Sequence, residues 1–134
     1  MAFYGHRLHL YRDTVPHEGF TRLLELSNTK KYGTYVFTSN VDGQLFGDFA
    51  WDYSRTNAQR DRLSRWMDKL EQEGARLAIV EMGAGTAVPT VRNTSEQISS
   101  RFNVPLIRIN PRESFGAEIP LTMGAMEALR QISL

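Results

Sequence analysis

Three short polar clusters carry the residue types that ligand chemistry needs. They are Ser39-Asn40-Val41-Asp42, Gly83-Ala84-Gly85-Thr86 and Asn110-Pro111-Arg112, and each follows an apolar run. Glycines between a strand and a helix let backbone N–H groups approach a phosphate, and Thr86 adds a hydroxyl donor. A tight strand-to-helix turn would use the same residues. The loop has Val88 where a dinucleotide fingerprint wants a third glycine, and no lysine follows as in a Walker loop. Asn110 can donate to and accept from hydroxyls, or serve as a turn residue before Pro111. Asn40 could position a water or hydroxyl and Asp42 could bind an amide; their alternative is a cap and a turn ahead of Gly43. The three histidines, His6, His9 and His17, fall within the first seventeen residues and read as surface residues. No carboxylate or further histidine is spaced with them for a metal, so no metal site is expected. No Ser-His-Asp order or pair of catalytic carboxylates is legible from spacing. Asp48 and Glu81 remain as alternative bases, although Glu81 can equally be a buried structural partner.

Hydrophobic periodicity predicts the elements that hold these clusters. Residues 1–15 form a weak helical segment, with Leu8 and Tyr11 following Tyr4, and Pro16 restarts the chain. Phe20, Leu23, Leu24 and Leu26 make an apolar stripe over 17–27. Thr34-Tyr35-Val36-Phe37-Thr38 is β-branched and aromatic, which predicts a buried strand. A helix follows from Thr56 to about Glu73, with Leu63, Trp66, Met67 and Leu70 on one face and Gly74 at its end. The arginines at 55, 60, 62 and 65 are its solvated face. A second strand spans 77–80, a helix 90–102 turns Val91, Ile98 and Phe102 inward, and a third strand spans 106–109. Met123, Met126 and Leu129 build a closing helix. Alternating strands and helices predict an α/β fold, a Rossmann-like three-layer domain with a mainly parallel sheet. Ligands in such sheets sit beyond the carboxyl ends of the strands, where all three clusters fall. A sheet of three strands leaves two open edges, which predicts a second copy or a partner chain completing it.

The 134 residues make one domain, read here as 1–134 with its N-terminal helical segment. Sixteen basic against fifteen acidic residues leave a net charge of +1, too little for a nucleic-acid reader working through backbone charge. No apolar run approaches the ~20 residues of a membrane helix, and the N-terminal residues carry no long apolar stretch. The expected compartment is the cytoplasm. The chain has no cysteine, which excludes disulfides, thiol nucleophiles and cysteine-ligated zinc within it.

The order of several short motifs resembles the sirtuins, NAD-dependent protein deacylases, and specifically the C-terminal portion of their large dinucleotide-binding domain. Tyr35-Val36-Phe37-Thr38-Ser39-Asn40-Val41-Asp42 is similar to the family's T-Q-N-I-D, and Phe46-Gly47-Asp48 to its F-G-E. Val80-Glu81-Met82-Gly83-Ala84-Gly85-Thr86 with Pro89 is similar to its G-T-S segment and later proline; Leu106 to Asn110 and Met123-Gly124-Ala125 complete the order. The resemblance covers most of the chain after residue 16. It implies that Asn40 and Asp42 are the catalytic positions lining the nicotinamide–ribose end of NAD, beside Ser39. It places Gly83, Gly85 and Thr86 at the phosphates and nearby ribose, Asn110 at the adenosine ribose, and Gly124 and Ala125 beside adenine. Phe46, Gly47 and Asp48 would offer backbone to an acyl-lysine peptide by strand addition.

The departures are specific. The family's first strand and pyrophosphate-binding G-A-G-x-S loop have no counterpart. Its catalytic histidine and four-cysteine zinc module belong between Asp42 and Phe46, where Gln44 runs directly into Leu45. Loss of that general base alone costs on the order of 10²–10⁴ in rate. The expectation is therefore a sirtuin-like NAD-binding domain, related to the protein lysine deacetylases (a transferase class) but inactive as this chain. The alternative is a non-catalytic interaction or oligomerisation module derived from that fold.

Overall fold

A computed structural model describes residues 9, 10, 12–39 and 54–132. The elements are α1 (Glu18–Asn28), α2 (Ser54–Gln72), β1 (Ile79–Met82), α3 (Thr90–Phe102), β2 (Leu106–Ile109), β3 (Ile119–Leu121) and α4 (Ala125–Gln131). Residues 9, 10, 12 and 13 are helical within the predicted N-terminal segment. The three strands form one parallel sheet in the order β1-β2-β3. The architecture is α/β, a partial Rossmann-like arrangement, with α3 as the crossover from β1 to β2.

The third strand is not the one predicted. Thr34–Thr38 joins no ladder among the described residues, and Val36 is 79% exposed. β-Propensity measures fit to a pleated, half-buried surface, and no neighbouring strand among the described residues offers one here. The segment is anchored on α2 instead: the Tyr35 ring packs 6.0 Å from Trp66, and its hydroxyl donates to the Gln59 carbonyl. The third strand is β3, whose Pro120 pairs with Arg108. Proline cannot donate to a ladder, and β3 accommodates it as an edge strand.

Residues 110–118 connect β2 to β3 without a helix, less than the dozen or so residues usual for a parallel crossover. The return path is short, because a four-residue strand such as β2 rises only ~13 Å. At the start of β3, the Glu118 carboxylate accepts the Leu106 N–H at 3.0 Å, tying the strand to β2.

The buried apolar side chains include Leu70, Leu106, Ile109, Ala128 and Leu129. Between α3 and the sheet the packing is polar. Val91, Ile98 and Phe102 are only half-buried; the buried stripe of α3 is Arg92, Ser95 and Ser99. The two serines return their hydroxyls to the Val91 and Val104 carbonyls. The sheet carries Glu81 and Arg108 in register on neighbouring strands, both enclosed. Arg108 Nε and Nη2 take both Glu81 oxygens, Nη2 also reaches Glu96 at 2.9 Å, and Nη1 donates to the Phe115 carbonyl at 2.9 Å. A charged pair can be buried only when paired and hydrogen-bonded in this way.

Helices α1 and α4 approach closely at Gly19, where a Cβ would stand 3.1 Å from Met126 Sδ. His17 caps α1 through Nδ1. Arg101 of α3 forks onto Asp68 and Glu71 of α2 at 2.9 and 2.6 Å. No helix among the described residues is long and apolar enough to cross a membrane.

Candidate functional site

β1 and β2 end side by side, Met82 opposite Ile109, and the two segments leaving them meet. Gly83 turns with φ of 69° and donates its N–H to the Ile109 carbonyl at 2.9 Å. A left-handed φ of this kind favours glycine. Asn110, itself buried, joins the two exits. Its Nδ2 donates to the Ala84 carbonyl at 3.2 Å, while Oδ1 accepts the N–H groups of Arg112 and Glu113 at 2.9 and 3.0 Å. This Asx-type turn directs Glu113 back at the glycine loop.

The Glu113 carboxylate rests on that loop. Oε1 accepts from the Thr86 hydroxyl at 2.6 Å, and Oε2 accepts from the Thr86 N–H at 3.1 Å. Gly85 makes the room, since a Cβ there would stand 2.8 Å from Oε2. The loop's donors and its missing side chain therefore act together to receive an anion.

The hydroxyl and then the N–H of Thr86 hold the Glu113 carboxyl below the usual carboxylate range, with a smaller contribution from the Arg92 charge. A depressed pKa stabilises the fold above the unfolded-state value, and that stabilisation is lost as pH falls through the lowered folded value. Thr86→Val removes the hydroxyl. The Glu113 titration is then expected to move up toward the ordinary value of about 4.3, as read by carbon-13 NMR of the side-chain carboxyl. An unmoved titration would show that the hydroxyl contact is not made in solution.

Arg92 holds the same segment from behind. Its Nη2 donates to the Glu113 and Phe115 carbonyls at 2.8 and 3.0 Å, and its guanidinium lies 5.1 Å from the Phe115 ring centre. Its Nη1 is buried without a hydrogen-bond partner among the described residues. An open groove of about 270 Å³ runs alongside, lined by Thr86, Arg92, Asn93, Glu96, Arg108 and Phe115 among others.

The structure thus brings Gly83, Gly85, Thr86 and Asn110 to one place. Gly124 caps α4 ahead of Ala125, just past β3, whose Leu121 carbonyl accepts the Asn110 N–H at 3.1 Å. Ser39 is exposed, at the end of the segment anchored on α2 through Tyr35. Asn40, Asp42, Phe46, Gly47 and Asp48 lie outside the described residues. Glu81 is the buried structural partner and not a base, because Arg108 takes both of its oxygens.

Sequence reasoning missed Glu113 and Arg92. The spacing from Asn110 to Glu113 fits an Asx turn and could have flagged the first; Arg92 had no signal, sitting among residues of an ordinary helix. No family model matches the chain, and neither does any curated protein or solved structure.

Proposed function

We propose that this chain is a sirtuin-like NAD-binding domain that does not itself turn over an acyl-lysine peptide. The observation that supports this most is the carboxylate held by Thr86 N–H and Oγ over Gly85. A loop that receives one anion at the carboxyl end of a parallel sheet has the donor chemistry a diphosphate needs. In this reading Gly83, Gly85 and Thr86 take the phosphates. Asn110 stands at the adenosine ribose while bracing both loops, and Gly124 and Ala125 flank adenine. Turnover is expected to fail because no histidine follows His17 in this sequence to act as base, and the enclosed Glu81 cannot replace it. Asp48, the other candidate base, lies outside the described residues.

Calorimetric titration of NAD is expected to give saturable binding to the wild-type chain. Gly85→Val, which fills the cradle, is expected to abolish it, and neither protein should deacylate an acyl-lysine peptide. Absence of saturation with a folded wild-type chain would refute the NAD reading.

A second reading, an interaction module, draws support from β1. No strand among the described residues pairs with its outer edge, and Val80 on it is 39% exposed. A monomer that saturates with NAD would exclude the need for a partner strand.

A further inference from the structure

We propose that Glu113 is a built-in competitor for the glycine loop, so that an incoming phosphate must displace its carboxylate before it can bind. Thr86 offers one N–H and one O–H, and Glu113 accepts both. A phosphate oxygen over Gly85 would meet Oε2, which already stands 2.8 Å from the position of a Cβ there. Two like-charged groups cannot share that space and those donors, so occupancy is exclusive.

The device is anchored through its backbone and free at its tip. Arg92 Nη2 holds the Glu113 carbonyl, and Asn110 Oδ1 accepts its N–H. The side chain is half-buried, and release needs only a rotation of that side chain away from the loop, with β2 and residues 110–118 unmoved. Tethering of this kind gives the carboxylate a high effective concentration at the loop, on the order of millimolar or above. If the open loop is about 1–10% populated, apparent anion affinity falls by about 10- to 100-fold.

The inference rests on the proposed dinucleotide site only for the identity of the displacing ligand; the competition itself concerns any anion at the loop. Wild-type chain, Glu113→Ala and Glu113→Gln should each be titrated with inorganic pyrophosphate and with NAD, after circular dichroism has shown them folded. Glu113→Ala is expected to bind pyrophosphate about 10- to 100-fold more tightly than wild type, with Glu113→Gln, which keeps the shape without the charge, in between. Adding Thr86→Val to Glu113→Ala should cut the gain, because one of the two donors it acts through is lost while the N–H remains. Equal or weaker pyrophosphate binding by Glu113→Ala would overturn the proposal. So would a gain undiminished by Thr86→Val, which would reflect net charge and not the loop's donors. Tighter pyrophosphate binding without any NAD binding would uphold the competitor and sink the dinucleotide reading. Equal NAD affinity in all three proteins would do the reverse, and no binding of either probe would overturn both.

Discussion

Glu81→Ala is expected to destabilise the domain by about 3–5 kcal/mol, the cost of stripping one partner from a buried ion pair. The Arg108 side chain is 1% exposed and cannot regain water when its carboxylate is removed. Glu96 and the Phe115 carbonyl remain within its reach. Glu96 sits half in solvent, however, and cannot supply the enclosed two-oxygen fork that Glu81 provides. Because the two residues face each other across β1 and β2, the loss acts on the sheet itself. The double variant Glu81→Leu/Arg108→Met removes both charges and is expected to recover most of the loss, since apolar replacements of buried pairs are often neutral or stabilising. Urea denaturation of the three proteins checks this. A double variant as unstable as Glu81→Ala would mean that the pair contributes through shape, with charge pairing unimportant.

Asn110→Ala is expected to cost roughly 3 kcal/mol, taking about 1 kcal/mol for each of its three hydrogen bonds. Its effect on the site should be larger than its effect on the helices. Without Nδ2 the glycine loop loses its tie at Ala84, and without Oδ1 the turn that directs Glu113 toward Thr86 is lost, leaving Arg92 alone on the Glu113 backbone. NAD affinity should fall through the lost Ala84 tie and the lost Asn110 contact, offset in part by the release of Glu113, and the Glu113 titration should rise toward its ordinary range. Asn110→Asp keeps the acceptor for Arg112 and Glu113 but turns a carboxylate oxygen on the Ala84 carbonyl, so it should lie between wild type and Asn110→Ala in stability. Denaturation and NAD titration read the two effects separately. A loss well under about 1 kcal/mol in Asn110→Ala would show that the turn holds without its side chain.

Part of the candidate site is legible in the sequence. Gly83, Gly85, Thr86 and Asn110 all sit just past apolar runs, and strand ends are where an α/β sheet gathers ligand groups. The carboxylate that occupies the loop was not legible. Glu113 reaches Thr86 across twenty-seven positions of sequence, a contact set by how two exits lie over one sheet. The resemblance that named Asn110 as a ribose contact is silent about its bonds to Ala84, Arg112 and Glu113, which depend on the same juxtaposition.

Local pattern by itself determined the helices and the inner strand. The stripe over 17–27 is α1, the helix predicted at 90–102 is α3, and Leu106–Ile109 is β2. Gly74, at φ of 57°, ends α2 as its residue type predicts. These features rest on periodicity and turn chemistry within a few residues. Only tertiary structure decided which extended segment entered the sheet. Thr34–Thr38 has the stronger β-propensity, yet Ile119–Leu121 has the neighbour, because residues 110–118 deliver it beside β2. Tertiary structure likewise decided that α3 buries Arg92, Ser95 and Ser99, and that Glu81 is enclosed. A charge tolerates burial only when its partner stands opposite, and strand register brings Arg108 there.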